Sequence, residues 1–416
     1  MQDKIFAFVE PSFYGVKYVE YTKRLGYKIL VIVNDSTNPI TYGYSNDYDY
    51  LITCDIRNKE DIYNAIKSFK YSDKIIGLLP ATDYATPNAC WVANKLGLKS
   101  MGYQSAIAAR NKNIARDLFL KFNVPSPKYK AIRSYEEAKE FADLIGYPLV
   151  LKPTNTASSQ FVSLIHNQSQ LKSSLEELLN FKESYMGFKV NDIFLIEEFM
   201  RGQEYSIELF LNSGKTEFLE VTKKLKSKPP YFVELGHIIP APIDNKSEFA
   251  KIAENGAKAL GIENGPLHIE VIDTIDGLKI VEINGRPGGD EITSQLIPLS
   301  FGVNIFQNTI FNYLGENLKF EKSRQKYSMI YYFTAHKNGK LKKIHGLEKI
   351  KQLEFVNTVR LNVSLGDSVR IPENSDDRLG YITFYSDSYN SLIKNKKAIE
   401  ETLKPVVVVN KIDKPS

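Results

Sequence analysis

His268 to Asp290 read HIEVIDTIDGLKIVEINGRPGGD, and the fold follows from this stretch. HIEVID and GLKIVEIN alternate apolar with polar side chains around a turn at Asp276 and Gly277, which predicts a β-hairpin. Glu270 and Glu282 stand on its two arms. With that turn they lie nearly opposite and project to one face, where two carboxylates repel unless a cation lies between them. Asn284 shares the face because side chains alternate along a strand. Two carboxylates and an amide oxygen suit a hard cation such as magnesium, which needs few protein ligands when substrate phosphates supply the rest. Two solvent-facing glutamates on an edge hairpin would read the same way. What favours the cation is Arg286, followed by Pro287, Gly288 and Gly289: a planar, permanently charged donor beside backbone that is free to approach a ligand.

Upstream of the hairpin lie two strand patterns, EYSIELFLN and TEFLEVTKKL, a loop rich in lysine and proline, and a helix from Lys246 to Leu260. Before them FLIEEFMRGQEYSIE reads as a connector, with Glu197, Glu198, Phe199 and Met200 at a strand end and Glu204 opening the next strand. Apolar side chains at such a hinge can sandwich a flat base, and a carboxylate seven residues on can accept hydrogen bonds from a ribose diol. Further back, PLVLKP delivers Lys152 to the end of a strand, and the polar loop that follows holds Ser158 and Ser159. A lysine there can hold a phosphate together with backbone N–H groups. Lys112 in AARNKNIARDLF is a second isolated lysine, though most lone lysines are simply solvated. Between the two lysines, NVPSPK forces extended backbone and marks a boundary.

The first hundred residues alternate apolar runs (Lys4–Val9, Lys28–Val33, Lys74–Pro80) with amphipathic stretches, which predicts a small parallel sheet with helices on its faces. Ligands meet such sheets at the carboxyl ends of the strands. Glu10–Gly15 and Pro80–Thr86 fall there, so Tyr14, Asp83 and Tyr84 are candidate substrate contacts. After Pro298 a helix precedes a last unit, Tyr327–Val409, of several short strands and one helix near Ser391–Leu403.

The chain has 416 residues with 54 Lys and Arg against 49 Asp and Glu, a net charge of +5, which argues against a nucleic-acid binder. No apolar run is long enough to span a membrane, and the start is too acid-flanked for a signal peptide. Two cysteines build neither a disulfide framework nor a four-thiolate metal site. A cytoplasmic protein acting on small anionic molecules is the expectation.

The ordered set of Lys112, Lys152 after LKP, the EEF connector with Glu204, and Glu270 followed by Glu282, Asn284 and Arg286 resembles the ATP-grasp superfamily of carboxylate-amine ligases over almost the whole chain. Within it the sequence is most similar to the L-amino acid ligases, through ELGHIIPAP at Glu234–Pro242, NGRPGGD at Asn284–Asp290 and the β-rich C-terminal unit. The resemblance implies a multidomain α/β and α+β fold. Its parts would be an N-terminal parallel α/β domain at 1–110, a linker helix and central lid at 111–200, a catalytic subdomain at 201–321 and a small β-rich subdomain at 322–416.

It also implies ATP and one or two magnesium ions as cofactors. Lys112, Lys152, Ser158 and Ser159 would bind phosphates, with Lys223 and Lys224 as further candidates to close over them. Glu197, Glu198, Phe199 and Met200 would take adenine, Glu204 ribose, and Glu270, Glu282 and Asn284 the metal. Arg286 would bind the substrate carboxylate and its acyl phosphate, His237 would stabilise the oxyanion, and His268, Gly288 and Gly289 would line the substrate site. The partners would be a small carboxylate and an amine, with a homodimer as the expected assembly. Alternatives are a ligase of the purine-pathway or carboxylase type, and an ATP-binding regulatory protein without turnover. One departure stands out: the loop Thr154–Val162, glycine-rich in the superfamily, has no glycine here.

Overall fold

The computed structural model describes residues 3–157, 159–227, 231 and 233–408. Strands β1 (Ile5–Val9), β2 (Lys28–Val33), β3 (Tyr50–Thr53) and β4 (Ile75–Pro80) form a parallel sheet in the order β3-β2-β1-β4. Their near-continuous apolar runs fit a sheet covered on both faces. β3 is the strand that the three apolar runs do not announce; YLIT is short and half exposed. One face of the sheet is closed from far along the chain. Phe306, Ile310 and Tyr313 of helix Ile305–Leu314 pack with Phe6, Phe8 and Tyr18.

The central module holds β5 (Tyr129–Ile132), β6 (Leu149–Pro153), β7 (Ser163–Ile165) and β8 (Phe194–Glu198), antiparallel in the order β5-β8-β6-β7. Helices Tyr135–Ile145 and Gln168–Asn180 pack on it through Phe141, Ala142, Leu171 and Leu175. Ser134 and Asn167 cap these helices, each accepting a backbone N–H of the first turn.

The rest is dominated by one antiparallel sheet. It is built from β9 (Gly202–Asn212), β10 (Lys215–Lys226), β11 (Glu234–Ile239), β12 (Gly265–Thr274), β13 (Gly277–Asn284), β14 (Tyr327–Thr334), β16 (Val356–Leu361) and β18 (Arg378–Ser386), with β15 (Gly339–His345), β17 (Ser368–Val369) and β19 (Lys404–Val408) in a small second sheet. The order β13-β12-β9-β10-β11-β14-β18-β16 means that the sheet runs on through the segment after residue 322. Alternation gives β9 and β12 two unlike faces. Ile207, Leu209, Leu267, Ile269 and Val271 pack against helix Lys246–Ala259 through Phe249, Ala253 and Ala257. The other face carries Glu204, Ser206, Glu208, His268 and Glu270, paired across the strands with Glu220, Thr222, Glu282 and Asn284 and bonded by Lys224. Among the described residues no helix is long and apolar enough to cross a membrane.

Candidate active site

The hairpin β12–β13 turns at Ile275 and Asp276, one residue earlier than the Asp276–Gly277 turn expected, because Thr274 pairs with Gly277. Continued regularly, that register would set Val281 opposite Glu270 and turn Glu282 to the apolar face. A bulge between Glu270 and Val271 corrects it: Val271 pairs with Ile280, and Glu270 with Glu282. The Val281 carbonyl then accepts Arg116 Nη2 at 2.6 Å. Asn284 Nδ2 donates to Glu282 Oε1 at 2.9 Å, and Lys112 Nζ lies 3.0 Å from Glu282 Oε2. Burial alone would raise the Glu282 carboxyl, but Lys112 and the Asn284 amide outweigh it and bring the pKa to about 2.

Lys112 opens helix Lys112–Lys121, and Arg116 follows one turn later on the same side. Glu197, at the end of β8, joins two elements: Arg116 Nε reaches its Oε1 at 2.8 Å and Lys152 Nζ its Oε2 at 2.6 Å. All three side chains are almost fully buried. Burial opposes the Glu197 charge, yet the two cations hold its carboxyl below the usual range. Burial pulls the Lys152 ammonium below its ordinary value. The Glu197 side chain, expected near adenine, is thus committed to Lys152 and Arg116. Glu198 pairs with Lys279 at 2.8 Å, and Phe199 and Met200 are half-buried beyond it.

Lys224, a candidate to close over phosphates, is 3% exposed inside the polar face, with Glu270 at 2.8 Å and Glu204 and Glu234 at 3.1 Å each. Its neighbour Lys223 alternates to the opposite face. Three carboxylates overcome burial and raise the Lys224 ammonium well above its usual value, while Glu270 is held well below its own. Glu204, expected at ribose, is also bonded by Lys226. His268 stands on the same face as Glu270: its Nδ1 lies 2.8 Å from Glu208 Oε1 and its Nε2 3.5 Å from Glu270 Oε1. Burial lowers the imidazolium, but these carboxylates win and raise its pKa to about 9.

Arg286 lies where the hairpin leads toward the N-terminal sheet. Its Nε meets Asp83 Oδ2 at 2.8 Å, its Nη1 donates to the Pro287 carbonyl at 2.9 Å, and its guanidinium sits 5.4 Å from the centre of the Tyr14 ring. Asp83 and Tyr14, picked from separate loops, thus converge on one group. Gly288 lies against the sheet so closely that a Cβ would meet Glu208 Oε2 at 2.5 Å and His268 Nδ1 at 2.9 Å, whereas Gly289 faces open space. His237, paired with Lys224 across β10 and β11, is 1% exposed. Its Nε2 lies 3.1 Å from Asp290 Oδ2, and its Nδ1 has no hydrogen-bond partner among the described residues. Arg378 of β18 also reaches Asp290, at 3.2 Å, and stacks over Tyr332 at 3.8 Å. Burial would raise the Asp290 carboxyl, but the His237 bond and the Arg378 charge hold it well below its ordinary value. Glu234, His237 and Asp290 also lie close enough together to hold a cation, with Lys224 and Arg378 pairing the two carboxylates in its place.

The glycine-free loop packs beside this cluster. Lys112 donates to Thr156 O at 2.9 Å, and its backbone N–H to Thr154 O at 2.8 Å. Ser159 is described with φ of +52°, and Ser158 lies outside the described residues. Arg116, Glu208, Asp290 and Arg378 join the site without having been candidates in the sequence. The first two carried a signal, since Arg116 lies one helical turn from Lys112 and Glu208 continues the period-two polar series of Glu204 and Ser206.

Residues 145–295 match the ATP-grasp domain family, and residues 331–408 match the L-amino acid ligase C-terminal domain 2. The chain is 29% identical over 221 residues to alanine–anticapsin ligase of Bacillus subtilis, covering 48% of this chain and 46% of that one, so the matched part spans about half of that relative. It is 28% identical over 279 residues to phosphoribosylamine–glycine ligase of Caldanaerobacter subterraneus, covering 62% and 66%. The fold is also that of an L-amino acid ligase from Bacillus licheniformis, with a TM-score of 0.80 at 21% identity over 98% of this chain and 100% of that one. The chain thus carries an ATP-grasp domain and, after it, the C-terminal domain 2 of the L-amino acid ligases, and the named relatives it resembles are ligases that form C–N bonds.

Proposed function

We propose that this ligase joins the carboxylate of an amino acid to an amine through an acyl phosphate, giving an amide or dipeptide with ADP and phosphate. The observation that carries the reading is that Lys112 meets Glu282, Glu282 stands opposite Glu270, and the Glu282 charge acts on the Arg286 guanidinium. The C-terminal domain match supports an amino acid over a purine precursor as the substrate.

In this mechanism Arg286 binds the substrate carboxylate, whose oxygen attacks the γ-phosphorus of ATP as ADP departs. Lys112 and Lys152 hold the phosphates, Lys152 kept in place by Glu197. Adenine lies against Phe199 and Met200 at the connector, and the ribose near Glu204. The amine then attacks the acyl carbon, phosphate leaves, and the amine gives up a proton. Arg286 and His237, the latter oriented by Asp290, stabilise the oxyanion of that step. Glu270, Glu282 and the Asn284 amide oxygen fit a divalent cation, being two ionised carboxylates and a neutral oxygen on adjoining strands. Magnesium bound there would offset the charge of the triphosphate. The central module, residues 125–199, is the lid, and ATP dependence points to the cytoplasm as the place of action.

The test is phosphate release by the purified chain with ATP and magnesium, across amino acids offered singly and in pairs, with mass spectrometry of each active mixture. Release that requires a pair, with a product mass equal to the two less water, is the expected result. Silence with amino acids but turnover with a phosphoribosylamine or bicarbonate would overturn the amino-acid reading.

A further inference from the structure

The loop between β4 and helix Thr86–Lys95 carries two consecutive residues that touch different parts of the cleft. Asp83 holds Arg286. Tyr84, 7% exposed, turns the other way, toward the lid. Its hydroxyl lies 2.7 Å from Ser184 Oγ and 3.3 Å from Gln160 Oε1, and accepts the Ala157 N–H at 3.2 Å. Ser184 Oγ donates to the same Gln160 oxygen at 2.5 Å. Arg110 lies over the Tyr84 ring at 4.3 Å and donates to Thr156 O at 3.2 Å, so the ring and its hydroxyl both engage the loop 154–162.

That loop has a reason to need holding. Without glycine it still places Ser159 and Phe161 at φ of +52° and +54°, a left-handed conformation that strains a residue with a side chain. Two contacts offset this cost: the Phe161–Phe181 ring stack at 4.1 Å and the Tyr84–Gln160–Ser184 cluster. The same loop accepts Lys112, the lysine beside Glu282, at Thr156 O. A displacement of the loop therefore opens the cleft at the phosphate end.

We propose that Tyr84 is a positioning residue of this enzyme, whose hydroxyl fixes loop 154–162 over the reacting phosphate so that water is kept out while the amine attacks. The inference rests on the ligase reading above. Tyr84 acts through the loop. An opened loop lets water attack the acyl phosphate in place of the amine, returning the free carboxylate and phosphate, so ATP is spent without amide.

The experiment uses the full chain with Tyr84→Phe, which keeps the ring and removes only the hydroxyl, and Gln160→Ala, which removes the partner on the lid. Two quantities are read: phosphate released per amide formed, and amide hydrogen exchange in residues 154–162. Wild type is expected near one phosphate per amide, and both variants several-fold above it. Exchange in the loop should rise about tenfold, the factor for losing one or two such bonds, with the β9–β12 core unchanged. A ratio that stays at one in Tyr84→Phe, or unchanged exchange in the loop, overturns the proposal. A wild type that forms no amide removes the ligase reading by itself, and the exchange rates then still decide whether Tyr84 holds the loop.

Discussion

Strands β9 and β12 turn two faces of opposite chemistry inward, and both are buried. Ile207, Leu209, Ile269 and Val271 meet helix Lys246–Ala259, while Ser206, Glu208, His268 and Glu270 meet one another and the loop after Arg286. On the first face every buried square ångström contributes about 25 cal/mol of stability. On the second each charge loses its hydration and regains it only through a partner, so a buried ion pair is at best a weak source of stability. Neighbours one residue apart thus serve different ends: one side holds the sheet together, and the other holds charge ready for chemistry.

The largest expected effect comes from the polar face. Glu282→Gln keeps the shape and removes the charge opposite Glu270. Amide formation should fall by more than about 100-fold, the scale of a lost electrostatic group in a site, and the melting temperature should barely change, since Lys112 keeps its bond to the Thr156 carbonyl. Parallel assays of ADP formation and thermal unfolding decide it. Retained turnover with a lowered melting point would make the polar face an ordinary structural network and erase the contrast.

The apolar face should answer the opposite way. Ile269 stands between His268 and Glu270 in sequence but points to helix Lys246–Ala259. Ile269→Ala leaves a cavity and should cost about 2–5 kcal/mol, read as a lower denaturant midpoint, with turnover per folded molecule within about twofold of wild type. A large loss of turnover at unchanged midpoint would mean that the two faces are not separable.

These expectations depend on a register that is only half legible in the sequence. Period-two alternation around a turn announces the hairpin and both glutamates, because burial of one face imposes the pattern. The turn itself falls at Ile275 and Asp276, and a bulge at Val281 puts Glu282 back opposite Glu270. Nothing local marks that bulge; its carbonyl is satisfied by Arg116, 165 residues away. Asp290 closes the NGRPGGD motif, yet its role depends on Arg378, 88 residues on. The glycine-free loop is visible in the sequence, whereas its restraints, Tyr84 and the pair Phe181 and Ser184, come from two other places in the chain. Local periodicity reveals strands and faces. Partners brought together by topology are what it cannot contain.

The prediction furthest from turnover and stability tests what burial does where no opposite charge answers it. Glu282 is buried with Lys112 at hand and its pKa falls to about 2. Cys54, just after β3, and Cys90, inside helix Thr86–Lys95, are free thiols without such a partner. Burial, with Asp61, Asp55 and Glu10 adding to it, raises the Cys54 thiol from 9.0 to about 11, and burial raises Cys90 to about 12. Only the thiolate reacts, so a raised pKa slows alkylation: at pH 8 Cys54 should react about 100-fold more slowly than a free cysteine, and tenfold faster with each added pH unit until about pH 11. Mass spectrometry after timed iodoacetamide treatment at pH 8, 9 and 10 reads both sites. Reaction of Cys54 at the free-cysteine rate at pH 8 would mean that a cation or solvent reaches it, and that the N-terminal sheet treats buried polar atoms no differently from the face that carries Glu282.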